Sequence, residues 1–227
     1  MVKQNNKSHS TTVHEVIKEI RKEILNGTLK EGERLIQDEW AQRLNVSRMP
    51  IREALTHLEM EGLVEIKPHK GAIVTPITQE DIEEIFNLRC MLEATVVEKS
   101  LPYLTEEDVT LLGEVLIEME TLKLTDETND KYSKLNAKFH AILHKDCPWP
   151  RAKKFVDNLG ISPIAPKLLE PYYEKTQQDH RRIYEAVLRR DPQELRLAME
   201  YHLTRTKNNL LKVIQQMNDE KNKNESI

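Results

Sequence analysis

The apolar residues of the first 75 positions follow two different periods, and that change restricts the fold more than any other feature of the sequence. As far as Gly62 they recur at steps of three and four in three successive segments, which predicts three short helices. Beyond Gly62 the period falls to near two in Leu63–Ile66 and Ala72–Thr75, which predicts two short strands. A Pro and a Gly between them are typical of a hairpin tip. The N-terminal third is therefore expected to be three helices followed by a two-stranded wing.

The third of these helices has the clearest boundaries. Ser47 is a favourable N-cap, and Pro50 falls in the first turn, where its missing N–H removes no helical hydrogen bond. Gly62 ends the segment, since glycine readily adopts the left-handed conformation that stops a helix.

The rest of the chain has helical periodicity, interrupted by short polar or Pro-containing breaks. We therefore predict a mainly α protein: an N-terminal winged helix-turn-helix at 13–76, followed by an all-α antiparallel helical bundle at 77–217. The polar ends lack periodicity, so we expect a flexible arm at 1–12 and a disordered tail at 218–227.

Composition and charge exclude several classes of protein. No run of about 18 apolar residues is present, so we expect no membrane partner. Cys90 and Cys147 make no disulfide framework, and the N-terminus lacks the apolar core of a signal peptide, so the expected location is cytoplasmic. The formal net charge is −4, with the acidic excess after residue 75. Any nucleic-acid site must therefore be a local face.

Basic residues cluster on the third helix and at the hairpin tip. Arg48 and Arg52 lie four apart, hence on one helical face, and His69 and Lys70 lie at the tip. Arginine can bond guanine or clamp a phosphate, and a basic wing suits a narrow groove. Alternatively, both arginines pair with glutamates on a solvated helix. The order of three helices and a wing favours double-stranded DNA.

Four sequence motifs in this region resemble the winged helix of the GntR family of bacterial transcription regulators. They are Gly32–Leu35, Val46–Leu55, Leu58–Val64 and Lys70–Ala72.

This resemblance implies roles for individual residues. The family residues that match Arg48 and Arg52 contact DNA, the one that matches Met49 contributes a base contact, and the one that matches His69 reaches the minor groove. Asp38 stands where a well-known member has a further DNA-contacting arginine, so Arg34 is a candidate substitute for phosphate contact. Lys70 completes the predicted set.

The histidines of the C-terminal region permit two interpretations. His140 and His144 are one helical turn apart, but no glutamate stands between them as in the HExxH protease motif. Asn136 and His140 could instead point into the bundle beside His180 and His202, as metal ligands in helical bundles do. Each histidine could equally be a surface or core residue, and His144 is left as a surface residue or one beside the site.

A further resemblance, to the all-helical ligand-binding domain of the FadR-like branch, favours the metal interpretation. Four motifs support it: Leu88–Glu93, Leu135–His140, Asp179–Ile183 and Met199–Leu203. Many members hold a divalent metal ion with an Asp or Asn and three His, which match Asn136, His140, His180 and His202. Imidazole ligands suit zinc or nickel better than magnesium. Asn136 replaces the commoner Asp, which removes a negative charge from the ligand set.

Family members bind small carboxylates beside that metal. Arg89 is the candidate effector-binding residue, because it lies on an otherwise apolar helix where a guanidinium would require an anion. The alternative is a salt bridge from Arg89 to Glu93, one turn away.

These expectations describe a ligand-responsive regulator, with repression relieved by a small organic acid. A homodimer is expected because two-fold symmetry lets two winged helices read two half-sites. Two alternatives stay open at this point: a metal-dependent enzyme that uses the winged helix as an interaction module, and an architectural DNA binder without an effector.

Overall fold

The chain forms two compact units, Met1–Thr78 and Gln79–Ile227. The computed structural model describes residues 3–25, 27–67, 71–76, 78–125, 127–159 and 171–224. In the first unit the elements are α1 (Lys3–Leu25), β1 (Arg34–Leu35), α2 (Gln37–Arg43), α3 (Arg48–Met60), β2 (Val64–Lys67) and β3 (Gly71–Val74). In the second they are α4 (Gln79–Ser100), a 3₁₀ turn (Leu101–Tyr103), α5 (Glu106–Thr121), α6 (Asn129–His144), α7 (Pro150–Leu159), α8 (Tyr173–Leu188) and α9 (Pro192–Asn224). The predicted fold class is confirmed.

The first unit has its own core, formed where helices α1 and α3 pack together. Ile20 of α1 and Ile51 and Leu58 of α3 are fully buried there. The periodic apolar stripes of the sequence thus face one another, and the opposite face of α3 is left for solvent.

Three antiparallel strands, in the order β1, β3, β2, form the wing. In the register, Val64 pairs with Val74 and Arg34 pairs with Ile73. Gly71 has a φ of +81°, and a Cβ there would lie 3.1 Å from the carbonyl oxygen of Leu35. Glycine is therefore required where β3 passes β1.

Helix α3 ends as the sequence predicts. Gly62 has a φ of +73°, the N–H of Leu63 donates to Leu58 O at 2.9 Å, and the N–H of Gly62 donates to Glu59 O at 2.9 Å. These two bonds define a Schellman motif. The same pair of bonds ends α2, where Asn45 takes the left-handed position with a φ of 52°.

The structure differs from the sequence prediction at both ends of the chain. Helix α1 begins at Lys3, within the segment expected to be a flexible arm at 1–12, and α9 continues to Asn224, within the tail expected to be disordered from 218. Neither segment contains Pro or Gly, so nothing in it ends a helix that has started. The assignment of DNA binding to 13–76 and of effector binding to 77–217 stays a prediction.

The second unit is a helical bundle. Thr204 lies beside Cys90, and Arg196 bonds Thr95 and Glu98, so α4 and α9 run antiparallel. Lys145 bonds Asp108 and Lys131 pairs with Glu118, so α5 and α6 are antiparallel as well. The shared core includes the fully buried side chains Leu112, Leu116, Met119, Phe139 and Leu143. Over the part of the chain that the structure describes, no helix has both the length and the apolar composition needed to cross a bilayer.

Candidate metal centre and nucleic-acid interface

Three histidines from three helices meet in the interior of the second unit. His140 of α6, His180 of α8 and His202 of α9 each offer a ring nitrogen, and these atoms lie within 4.8 Å of one another. The ring centroids of His180 and His202 are 4.6 Å apart. The bundle therefore brings together residues that are up to 62 positions apart in the sequence.

Burial keeps these imidazoles neutral. It lowers the pKa of His180 and of His202 well below the ordinary histidine value. Charge repulsion from His202 and His140 lowers the pKa of His180 further, and repulsion from His140 lowers that of His202. Burial also lowers the pKa of His140, although hydrogen bonding to Glu93 opposes this effect. A neutral imidazole has one nitrogen lone pair free to bind a metal ion.

Several of these nitrogens have no partner. Over the described residues, both ring nitrogens of His180 and Nδ1 of His202 make no hydrogen bond. An unpaired buried polar group costs about 1–3 kcal/mol, and a metal ion bound among these three atoms would offset that cost. The donor set of imidazoles fits zinc, nickel or a similar ion.

A buried ion pair lies behind His140. Glu93 of α4, 1% exposed, accepts a hydrogen bond of 2.9 Å at Oε1 from His140 Nδ1, and Arg89 Nη2 donates to Oε2 at 2.8 Å. His144 Nε2 lies 3.4 Å from Glu93 Oε1. Burial alone would raise the pKa of Glu93, but the charge of Arg89, the hydrogen bond from His140 and the nearby His144 ring hold it well below its usual range. Glu93 is therefore ionised.

Arg89 thus takes the alternative that the sequence left open. Its guanidinium pairs with Glu93 one turn along α4 and also lies over the Phe86 ring, with its Cζ 5.3 Å from the centroid. Its role as an effector-binding residue stays a prediction. Asn136 lies one turn before His140 on α6 and is half-buried, so it stays the predicted fourth ligand.

Sequence reasoning missed a second buried carboxylate. Asp179 of α8, 2% exposed, pairs with Arg205 of α9 at 2.8 Å, and its Oδ2 lies 4.0 Å from His202 Nδ1. Burial raises the pKa of Asp179 to about 6, although the charges of Arg205 and Arg182 oppose that rise. The only sequence signal was the position of Asp179 directly before His180.

The predicted DNA-contacting residues of α3 lie on its solvent face. Arg48, Met49 and Arg52 are exposed, and the exposed fraction of Met49 is 60%. Arg34 of β1 is exposed as well. His69 and Lys70 lie outside the described residues.

Arg48 has an intramolecular partner that the sequence did not predict. Its guanidinium forms an exposed ion pair with Asp38 of α2. Asp38, which stands where a family member has a DNA-contacting arginine, therefore neutralises Arg48, a predicted DNA-contacting residue.

Comparisons with known proteins agree with this architecture. Residues 12–74 match the model for bacterial regulatory proteins of the gntR family, and residues 84–205 match the FCD domain. The chain belongs to the GntR family. HTH-type transcriptional regulator YdhC of Bacillus subtilis is 31% identical over 76% of this chain and 79% of its own. The gluconate operon transcriptional repressor of Bacillus licheniformis is 27% identical over 81% of this chain and 79% of its own.

A solved structure supports the fold of this GntR-family chain. E. coli McbR/YncC matches with a TM-score of 0.70 and 21% identity, covering 91% of this chain and 98% of its own. The chain is thus a transcriptional regulator with a winged-helix unit and an FCD ligand-binding unit.

Proposed function

We propose that this regulator is a cytoplasmic, dimeric repressor that senses a small carboxylate through a divalent metal ion in its FCD unit. The metal ligands are Asn136, His140, His180 and His202, and the ion is zinc or nickel rather than magnesium. The observation that supports this most strongly is the buried group of three neutral histidines whose nitrogens converge and are largely unpaired.

Operator binding is assigned to the solvent face of α3 and to the wing. Arg48, Met49 and Arg52 project from the helix that a winged helix-turn-helix places in the major groove, and Arg34 is available for a phosphate. The sequence prediction adds His69 and Lys70, which lie outside the described residues. Relatives that are named as repressors support the direction of regulation.

The effector reaches the metal ion at positions that protein ligands leave open. A carboxylate is a suitable further ligand, because nickel readily takes more than four ligands and zinc can expand from four to five. A second polar contact is available on α8, where Gln177 lies one turn before His180. Its Nε2 donates to Tyr132 at 3.0 Å, and its Oε1 is buried without a partner among the described residues. A hydroxyl of the effector could bond there.

Metal analysis of matched variants tests this proposal. Purified wild type should contain about one zinc or nickel ion per chain, and His180→Ala should contain none. His14→Ala, which alters an exposed histidine of α1, should keep the wild-type content. Equal metal content in all three proteins, or none in the wild type, would remove the metal centre from the proposal.

DNA binding is tested separately, with duplexes selected from a random pool by the wild-type protein. Arg52→Ala should weaken binding to the selected sequence, and Arg151→Ala, at an exposed position of α7, should serve as a control outside the winged helix. If Arg52→Ala binds as the wild type does, α3 is not the recognition helix.

A further inference from the structure

Two of the three converging histidines face a buried carboxylate that is itself held by an arginine. In the first group of arginine, carboxylate and histidine, Arg89 bonds Glu93, and Glu93 Oε1 lies 2.9 Å from His140 Nδ1. In the second, Arg205 pairs with Asp179 at 2.8 Å, and Asp179 Oδ2 lies 4.0 Å from His202 Nδ1. The first group joins α4 and α6, and the second group joins α8 and α9.

We propose that Glu93 and Asp179 are positioning residues that present Nε2 of His140 and of His202 to the metal ion. The inference rests on the proposed function, because it concerns how the proposed ligands are oriented. A neutral imidazole has one N–H and one lone pair. Because an ionised carboxylate only accepts hydrogen bonds, it selects the Nδ1–H form of the ring and leaves the lone pair on Nε2.

Arg89 fixes the position of the Glu93 carboxylate. Both Nε and Nη2 of Arg89 donate to Oε2, at 3.0 and 2.8 Å. Arg89 occupies Oε2 and leaves Oε1 to His140, so one carboxylate serves both partners.

In the second group, the hydrogen bond between Asp179 and His202 is not formed. His202 Nδ1 and Asp179 Oδ1 both have no hydrogen-bond partner in the described part of the chain, although the two side chains are neighbours. A shift of about 1 Å would bring the 4.0 Å separation into hydrogen-bonding range. Metal binding at Nε2 makes Nδ1–H a stronger donor, so we expect the bond to form when the ion binds.

His180 provides an internal contrast. It is fully buried, and neither of its ring nitrogens has a partner in the part of the chain that the structure describes. No carboxylate fixes its ring form, so its tautomer is expected to be mixed until a metal ion binds.

Long-range ¹H–¹⁵N correlation spectra of the full-length protein read the tautomer of each ring directly. In the metal-free protein His140 should be the Nδ1–H form. After one equivalent of zinc, His140 and His202 should both have metal-bound Nε2 and protonated Nδ1. An Nε2–H tautomer of His140 in the metal-free protein, or zinc bound at its Nδ1, would overturn the inference.

Zinc affinity, measured by competition with a chromophoric chelator, tests the same inference in variants. Glu93→Gln and Asp179→Asn should each weaken zinc binding 10- to 100-fold, the usual effect of losing such a partner. Glu98→Gln is the matched control, because Glu98 also lies on α4 and pairs with an arginine, Arg196. It should bind zinc within about twofold of wild type.

Three further outcomes are distinguishable. If Glu93→Gln does not fold because Arg89 is left unpaired, the double variant Arg89→Leu/Glu93→Gln removes both charges, and the same loss of zinc affinity is expected. If wild type binds zinc and the variants bind it equally well, the positioning roles are wrong and the metal centre stands. If wild type binds no zinc, the proposed function fails. The tautomer of His140 in the metal-free protein then still shows whether Glu93 selects the Nδ1–H form of that ring.

Discussion

At the scale of single residues, the FCD unit buries polar atoms that make no hydrogen bond among the described residues. His180 is fully buried with both ring nitrogens unpaired among the described residues. Residues that bind a ligand often lower the stability of the unliganded protein. The metal-free protein should therefore gain stability when such a residue is replaced by an apolar one.

His180→Leu tests this expectation. Without metal, the variant should unfold at a higher urea concentration than wild type, because burial of unpaired nitrogens costs about 1–3 kcal/mol. With zinc, only the wild type should gain stability, by mass action on the folded state. Urea unfolding followed by circular dichroism, with and without zinc, measures both effects. A variant that is less stable than metal-free wild type would show that His180 is a packed core residue with no such penalty.

Asp108 contributes stability that depends on pH. Its carboxylate accepts bonds from Thr105 and from Lys145 Nζ at 2.8 Å, and these hydrogen bonds lower its pKa to about 2. A folded-state pKa below the unfolded value means that the contribution is present above about pH 4. It is lost as the pH falls toward 2.

Asp108→Asn should therefore lower the free energy of unfolding near pH 7, by about 0.5–2 kcal/mol for a lost capping interaction. The difference from wild type should shrink between pH 4 and pH 2. Glu107→Gln, at an exposed neighbouring position, should show little difference at either pH. A constant difference across that range would mean that the effect does not come from the ionised carboxylate.

The residues of the candidate metal centre show what the sequence could predict and what it could not. Asn136 and His140 are a helical turn apart, and His180 and His202 could join them from two later helices. Spacing alone left every histidine open, and only the family resemblance favoured the metal interpretation. Glu93 was considered only as a partner of Arg89. Its contact with His140 depends on how α4 packs on α6, which no local pattern in the sequence encodes.

At the scale of elements, short-range rules were sufficient where a single residue starts or ends a helix. Helix α3 starts after Ser47, as predicted, and Ser47 has the extended backbone of an N-cap although its side chain makes no cap hydrogen bond. Its end at Gly62 follows from left-handed backbone geometry. Strand β1 was missed because a two-residue strand, Arg34–Leu35, shows no period, and it exists only through its pairing with β3. The longer reach of α1 and α9 was missed because polarity alone does not end a helix.

Gly62→Ala tests the end of α3. No atom lies within 4 Å of the added Cβ, so the penalty comes from the left-handed backbone alone, about 1–2 kcal/mol. Asn45→Gly, at the equivalent position after α2, should have the opposite sign. Fluorescence of Trp40 during urea unfolding, in a Trp149→Phe background, reports on the first unit. Equal effects of the two substitutions would contradict the backbone argument.

The ion pair between Asp38 and Arg48 should restrain DNA binding by the winged helix. Asp38→Asn removes the carboxylate that neutralises Arg48, so the arginine becomes available to a phosphate or a base. The variant should bind selected duplex DNA more tightly, with a steeper loss of affinity as salt increases. Glu39→Gln changes the net charge equally at the next residue of α2. If both variants gain the same affinity, net charge and not the ion pair explains the gain.

At the scale of the whole molecule, we expect effector binding by the FCD unit and DNA binding by the winged-helix unit to be thermodynamically linked. An effector can change DNA affinity only if it binds one state of the regulator more tightly than another. The fold class and the two-unit plan could be predicted from the sequence, because a change of apolar period and a long helical remainder are properties of the chain alone. The identity of the effector could not, since similar helical bundles accept different ligands according to residues that packing brings together.

The most direct test is the affinity of the protein for its selected operator duplex, measured with metal-loaded and chelator-stripped protein across a panel of small carboxylates and hydroxycarboxylates. The account predicts that at least one acid weakens DNA binding of the metal-loaded protein, and that it has no effect on the stripped protein or on His180→Ala. DNA binding that responds to an acid equally with and without metal, or that responds to no acid while the metal is bound, would contradict it.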